Sequence, residues 1–267
     1  MLTSDWVPMP NRFLYLVVLQ EAQPPRFVLH TTEFGLWMKT TSMGYLLAPS
    51  NNLIYAVTNG VVFHLLASLA LMSHLRTMLT DPGSVPLGNP PGSDTVSYCF
   101  ICRSAIPERA YHCIVCGRCI RKSDHHCPWV NNCVGEDNQK YFLLFTLYIG
   151  LISTHILLLL GIPILLSHAR GEWNASSTVS PSGPILFLFL VALMGFLFAL
   201  VMLCSQMCAI YRDKTITEML YQNKRSQGRR SLWANMKAIC GSRVSLAWLS
   251  PFHTPECHKS REHHDPA

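Results

Sequence analysis

The stretch "KSDHHCPWVNNCVG", Lys122–Gly135, sets two histidines and a cysteine side by side behind Asp124, with a second cysteine, Cys133, soon after. It closes a longer run, "CFICRSAIPERAYHCIVCGRCIRKSDHHCPWVNNC", that holds seven of the chain's 11 cysteines: Cys99, Cys102, Cys113, Cys116, Cys119, Cys127 and Cys133. Repeated C-x2-C steps suit zinc, because the short bite brings two thiolates onto one ion. With His112, His125 and His126 the run offers ten candidate ligands. Two closed tetrahedral sites use eight. The remaining two groups are either spare, supporting the ligands, or a thiol and imidazole acting as nucleophile and base. Cysteine suits a thioester, since acyl exchange between thiols is nearly isoenergetic. An imidazole can take the thiol proton, and Asp124 can orient that imidazole. Spacing alone does not say which cysteine and histidine are left over.

The rest of the chain is apolar. Of its 267 residues, 49% are hydrophobic and 13% charged, against about 25% charged in a soluble domain. Leu53–Leu75, Tyr141–Leu166 and Pro184–Tyr211 contain no Asp, Glu, Lys or Arg, and each exceeds the roughly 20 residues of a membrane span. A weaker fourth span, Phe27–Leu47, contains Glu33 and Lys39. A lysine near a helix centre costs about 2.5–3.5 kcal/mol on insertion, so Lys39 either snorkels to an interface or faces a polar cleft. Phe13–Leu19 is too short to span, and the start has no basic run leading into an apolar cleavable segment.

The expected fold is an α-helical polytopic membrane protein with four transmembrane helices, the first one weak, and a cytosolic two-zinc insert. The expected divisions are residues 1–79 with the first two helices, a Pro/Gly linker at 80–98, the insert at 99–140, two more helices at 141–211, and a tail at 212–267. Lysines and arginines set the orientation. Arg76, Arg103, Arg109, Arg118, Arg121, Lys122 and Lys140 lie between the second and third spans, ten more follow Tyr211, and the connection Ser167–Gly183 has Arg170 alone. By the positive-inside rule the insert and the tail are cytosolic. The net charge of +6 then expresses topology and attraction to anionic lipid, not nucleic-acid binding. The sequon at Asn174 falls in the non-cytosolic loop.

"DHHCPWVNNCVGEDN" resembles the defining motif of the DHHC family of protein S-acyltransferases (palmitoyltransferases). The likeness runs through the whole insert, includes Asp81-Pro82-Gly83, and reaches the tail "NMKAICGSRVSLAWLSPF" around Asn235, Gly241 and Trp248, which is closest to Golgi-resident members. The resemblance implies that Cys127 is the acyl-accepting nucleophile, His125 its base and Asp124 the partner of His125. It implies one structural zinc on Cys99, Cys102, His112 and Cys119, and another on Cys113, Cys116, His126 and Cys133. It further implies acyl-CoA as donor, cysteines of membrane-associated proteins as acceptors at the cytosolic face, and residence in Golgi or endoplasmic reticulum.

Trp129 then packs near the thioester or anchors at the interface. Phe142, Phe145 and Ile152 recur at helical spacing and line an acyl slot or face lipid. Arg118, Arg121 and Lys122 meet CoA phosphates or headgroups. His64, His74 and His155 read as packing or interface residues, and Cys204 and Cys208 as buried helix residues. A tail cysteine, Cys240 or Cys257, is open to acylation. Where the family often shows Thr-Thr-x-Glu, this chain has "TITE", Thr215–Glu218. Two alternatives compete: an inactive family scaffold, and a membrane-anchored zinc module of the RING type, which makes no use of the extra thiol.

Overall fold

Each charge-free run forms one long helix in the computed structural model, which describes residues 53–88, 97–171, 183–220 and 231–255. Helix α1 covers Leu53–Leu79, α2 Gln139–Ala169 and α3 Gly183–Arg212. Their 27, 31 and 30 residues exceed the roughly 20 needed to cross a bilayer, and a helix satisfies its own backbone where water cannot. Among the described residues these three are long and apolar enough to cross a membrane. Helix α2 is central and packs on both α1 and α3. Small residues set its approach to α3: a Cβ on Gly195 would lie 2.7 Å from Ser153 Oγ, and one on Gly150 would lie 3.3 Å from Ala199 Cβ. The expected span at residues 27–47, with Glu33 and Lys39, lies outside the described residues, as do Asn174 and Cys257.

Between α1 and α2 the chain folds into three antiparallel hairpins. They pair β1 (Ser97–Cys99) with β2 (Ser104–Ile106), β3 (Tyr111–Cys113) with β4 (Arg118–Ile120), and β5 (His125–Cys127) with β6 (Asn132–Val134). The strands have three residues each, and an isolated two-stranded hairpin is marginal even when longer. Register matters more than length here. His112 lies opposite Cys119 and His126 opposite Cys133, and directly opposed side chains share a face.

The hairpins are fastened to the end of α1, whose last carbonyls have no partner inside the helix. Asn132 Nδ2 donates to the carbonyls of Thr77, Met78 and Thr80 at 3.0, 3.2 and 3.0 Å. Asn138 Nδ2 donates to Thr77 O and Cys133 O, while its Oδ1 accepts from Gly135 N–H. The expected irregular linker is packed over residues 80–88. Asp81 Oδ1 accepts from Gly83 N–H and Ser84 N–H, Val85 N–H donates to Cys119 O, and Ser84 bridges to Ile120. Gly135 is required beneath this turn, since a Cβ there would meet Pro82 O at 2.4 Å.

After α3 come a short helix α4 (Ile216–Leu220), helix α5 (Leu232–Cys240) and a 3-10 turn at Leu246–Trp248. The tail lies back on the helices. Lys140 Nζ donates to Ala247 O at 2.9 Å and His253 O at 2.8 Å, Tyr148 Oη donates to Leu249 O, and Asn235 Nδ2 donates to Ile210 O. These contacts hold the tail at the same end of the helices as the hairpins.

Asn132→Ala should destabilise the protein by about 2 kcal/mol, since it removes one amide donor shared by three carbonyls at the end of α1. Asn59→Ala removes one exposed amide bond to Tyr55 O and should cost no more than about 0.5 kcal/mol. Thermal unfolding of the two variants in detergent micelles checks the difference.

Candidate active site and metal centres

The hairpin register assembles two Cys/His clusters. Cys99, Cys102, His112 and Cys119 form one, Cys113, Cys116, His126 and Cys133 the other, and within each the ligand atoms lie within 4.8 Å of one another. A tetrahedral zinc with Zn–S of about 2.3 Å and Zn–N of about 2.0 Å holds its ligands roughly 3.5–3.8 Å apart. In the first cluster Cys99 Sγ, Cys102 Sγ and Cys119 Sγ lie 3.7, 3.2 and 3.7 Å from His112 Nδ1. In the second, Cys113, Cys116 and Cys133 Sγ lie 3.8, 3.4 and 3.7 Å from His126 Nδ1. Both constellations fit the ion. The thiols of the second cluster do not ionise independently: the hydrogen bond from Cys133 holds Cys116 down to about 5 and pushes Cys133 up. A thiolate among thiols and an imidazole is what a borderline-soft cation selects. Each cluster takes its first two cysteines from one hairpin and its opposed His–Cys pair from the next, so each staples neighbouring hairpins together.

Strand periodicity separates the two adjacent histidines. Successive side chains point to opposite faces of a strand, so His126 turns to its cluster while His125 and Cys127 share the other face of β5. Cys127 is 2% exposed and packs with Val130, Val134, Phe142, Phe145 and Met202. His125 Nδ1 lies 2.9 Å from Asp124 Oδ2, its ring meets Phe142 edge-on at 5.1 Å, and its Nε2 is buried without a hydrogen-bond partner. An ionised carboxylate only accepts, so Nδ1 carries the proton and Nε2 is the nitrogen left for the thiol. Burial lowers the imidazole's proton affinity. The hydrogen bond to Asp124 and the nearby Cys127 outweigh it and raise the pKa to about 9.

Asp124 is 1% exposed and fully engaged. Its Oδ2 also accepts from Gln206 Nε2 at 2.6 Å, and its Oδ1 accepts from Ile216 N–H at 2.8 Å. Gln139 Nε2 donates to Gln206 Oε1 at 3.3 Å, turning the Gln206 amide nitrogen toward Asp124. The Asp124 carbonyl accepts from Thr217 N–H and Oγ1. Burial alone would raise the carboxyl's pKa. The donors from His125, Ile216 and Gln206 hold it below the usual carboxylate range instead.

"TITE" is a capping box. Thr215 N–H donates to Glu218 Oε2 at 2.7 Å while Thr215 Oγ1 accepts from Glu218 N–H at 3.2 Å, which satisfies the first turn of α4. Glu218 then receives Arg109 in a two-pronged pair, Nε to Oε1 at 2.7 Å and Nη2 to Oε2 at 2.8 Å, and Arg109 Nη1 reaches Asp213 at 3.2 Å. Asp124 uses the backbone of Ile216 and no side-chain atom of it, so the departure from the family pattern leaves this contact intact.

The other candidates separate. Phe142 and Phe145 reach the Cys127 cluster, whereas Ile152 packs with Ala70, Leu144 and Tyr148 on the α1 side. Ile152 lies ten residues beyond Phe142, about 15 Å along the helix. Trp129 is 48% exposed and meets Phe198 edge-on at 6.2 Å. Arg118 pairs with Asp81, Arg121 pairs with Glu136 and Asp137, and Lys122 is half-buried. Cys204 and Cys208, expected to be buried, are exposed. Each stands two residues from Gln206, hence about 160° away from the packed face. His74, read above as packing, has its Nε2 3.1 Å from Trp129 O and its ring 5.2 Å from that of Phe145, so it ties α1 to the turn after Cys127. His74 and Gln206 carried a signal in the sequence, being polar groups within charge-free spans.

The purified protein should contain about two zinc ions per chain. Cys133→Ala should lower this to about one and open the second and third hairpins to protease, because metal-binding energy is part of folding energy here. Metal analysis beside limited proteolysis checks both.

The DHHC palmitoyltransferase family model matches residues 93–223. Palmitoyltransferase ZDHHC3 of Homo sapiens is 47% identical over 226 residues, covering 79% of this chain and 75% of that protein. Palmitoyltransferase ZDHHC7 of Mus musculus is 48% identical over 221 residues, covering 78% and 71%. Probable protein S-acyltransferase 12 of Arabidopsis thaliana is 32% identical over 218 residues, covering 73% of each. On this likeness, and with both Cys/His clusters and the Asp124–His125 pair in place, the chain belongs to the DHHC palmitoyltransferase family.

Proposed function

We propose that the protein moves a long-chain acyl group, palmitoyl, from acyl-CoA to cysteines of membrane-associated proteins through a thioester on Cys127. The observation that carries this reading is a thiol outside both metal clusters, on the same strand face as an imidazole already oriented by a buried carboxylate. In the first half-reaction His125 Nε2 holds the proton of Cys127 and the thiolate attacks the acyl carbonyl. The tetrahedral adduct collapses, the C–S bond to CoA breaks, and the CoA thiolate takes the proton back from the imidazolium. In the second, neutral His125 accepts the proton of a substrate cysteine, whose thiolate attacks the acyl-enzyme. Cys127 leaves as thiolate beside the recharged imidazolium. Asp124 stabilises that charge in both halves.

Cys99, Cys102, His112 and Cys119 would hold one zinc and Cys113, Cys116, His126 and Cys133 the other. Each set of four protein ligands closes its ion, so the metal supplies structure and no reactive position. Phe142 and Phe145 form the apolar wall beside the thiol, and Trp129 covers it at the membrane surface. Ile152 lies deeper along α2, where the far end of an acyl chain would reach. The insert and the tail face the cytosol, the compartment that holds acyl-CoA, and the basic residues on that side fit the positive-inside rule. The membrane is that of the Golgi or endoplasmic reticulum. Residues 99–140 act as the catalytic insert and residues 212–267 as the tail, in which Asp213, Ile216 and Glu218 brace the insert through Arg109 and Asp124.

The test is autoacylation in micelles with labelled palmitoyl-CoA. Wild type should form a hydroxylamine-sensitive acyl-enzyme and Cys127→Ser none, with zinc unchanged in both; acylation of Cys127→Ser at the wild-type rate sinks the assignment. His125→Ala should lose about 10²–10⁴-fold in rate while keeping its zinc. Its activity should recover partly toward pH of about 8.5, where a free cysteine ionises without help. His126→Ala should lose zinc and gain nothing from alkaline pH. Asp124→Asn should lie between wild type and His125→Ala, with a stability loss, because the buried imidazolium loses its counter-charge.

A further inference from the structure

The tail ends its described path on an unusual constellation. Thr254 is exposed and precedes Pro255. Its Oγ1 accepts from Arg76 Nη2 at 3.1 Å and from Tyr141 Oη at 3.5 Å. Arg76 also donates to Tyr141 Oη at 2.5 Å, and its guanidinium carbon stands 4.6 Å over the Tyr141 ring. Yet Arg76 Nε is buried without a hydrogen-bond partner, and among the described residues Arg76 makes no ion pair. A half-buried cation, with one buried donor unused, sits against the hydroxyl of an exposed Thr-Pro step.

We propose that Thr254 is a phosphorylation site whose phosphate is received by Arg76 and Tyr141. A proline-directed serine/threonine kinase would form the Thr254 Oγ–P bond and break the bond from the γ-phosphorus of ATP to its bridging oxygen. ADP leaves, and the hydroxyl proton passes to the kinase's own base. The new dianion gains donors already in place, the Arg76 guanidinium in its planar fork and the Tyr141 hydroxyl, and charge-assisted bonds of this kind are about twice as strong as neutral ones. Ser250-Pro251 offers the same dipeptide and lacks this setting. Ser250 Oγ accepts from Phe252 N–H inside the turn that follows Trp248, and no basic group is in contact with it among the hydrogen bonds described. The consequence is mechanical: the phosphate locks the tail onto α1 and α2 beside Lys140 and Tyr148, which already hold it.

Access to a kinase rests on the cytosolic placement proposed above. The test uses purified full-length protein, so it fails or succeeds independently of topology and activity. After incubation with a proline-directed kinase and ATP, phosphopeptide mapping should find phosphate on Thr254 and none on Ser250, and the peptide carrying residue 254 should be unlabelled in Thr254→Ala. Cleavage of the tail within residues 231–255 should be about tenfold slower in phosphorylated than in unphosphorylated wild type, the ratio equivalent to about 1.4 kcal/mol. In Arg76→Gln the same ratio should fall to about one, and in Arg76→Lys it should be partly restored. Absence of phosphate at Thr254, when a free peptide of residues 246–260 is labelled, overturns the site. Equal or faster tail cleavage after phosphorylation overturns the role of Arg76.

Discussion

The carboxylate of Asp124 is the point on which the structure turns. It belongs to the third hairpin, accepts from Gln206 on α3 and from the backbone of Ile216 at the start of α4, and orients His125. A charge buried to this extent costs several kcal/mol unless its lone pairs are occupied. Satisfying it therefore forces the hairpins, the third described helix and the tail into one arrangement. The same donors that make the burial tolerable keep the carboxyl ionised, and an ionised carboxyl is what fixes the tautomer of His125. Structure and proton chemistry depend here on one set of hydrogen bonds.

The metal clusters answer a different difficulty. Three-residue strands in separate two-stranded sheets bury little apolar surface, and the hairpins draw on a small core around Val85, Ile106, Ala110 and Cys119. Zinc held by the two clusters would supply the missing free energy locally. Because each cluster links one hairpin to the next, rigidity passes along the insert to β5, where it positions Cys127. Asn132 and Asn138 then transmit that position to the end of α1.

Much of this was legible in the sequence, and the reasons are physical. Charge-free runs must be helices in a bilayer, so α1, α2 and α3 follow from composition, although the helices extend past the apolar residues wherever flanking polar groups find partners, as Gln139 and Lys140 do. C-x2-C spacing announced the metal clusters, and the period of a strand explains why adjacent histidines part company. Cys204 and Cys208 were misread because hydrophobic runs carry no sign of which face packs; the inward face of α3 is marked by Gln206, not by its cysteines. The latch between Arg109 and Glu218 spans 109 residues, and no local pattern encodes such a distance.

"TITE" shows how a motif can vary without losing its part. Thr215 and Glu218 close a reciprocal cap, Glu218 also receives Arg109, and the cap aims the amide of residue 216 at Asp124. The requirement at 216 is a backbone N–H in a fixed direction, which isoleucine meets as well as threonine. Thr217 is different, since its hydroxyl donates to the Asp124 carbonyl at 2.5 Å. The informative unit is thus the direction of the donors around Asp124, and side-chain identity matters only where a side-chain atom is one of them.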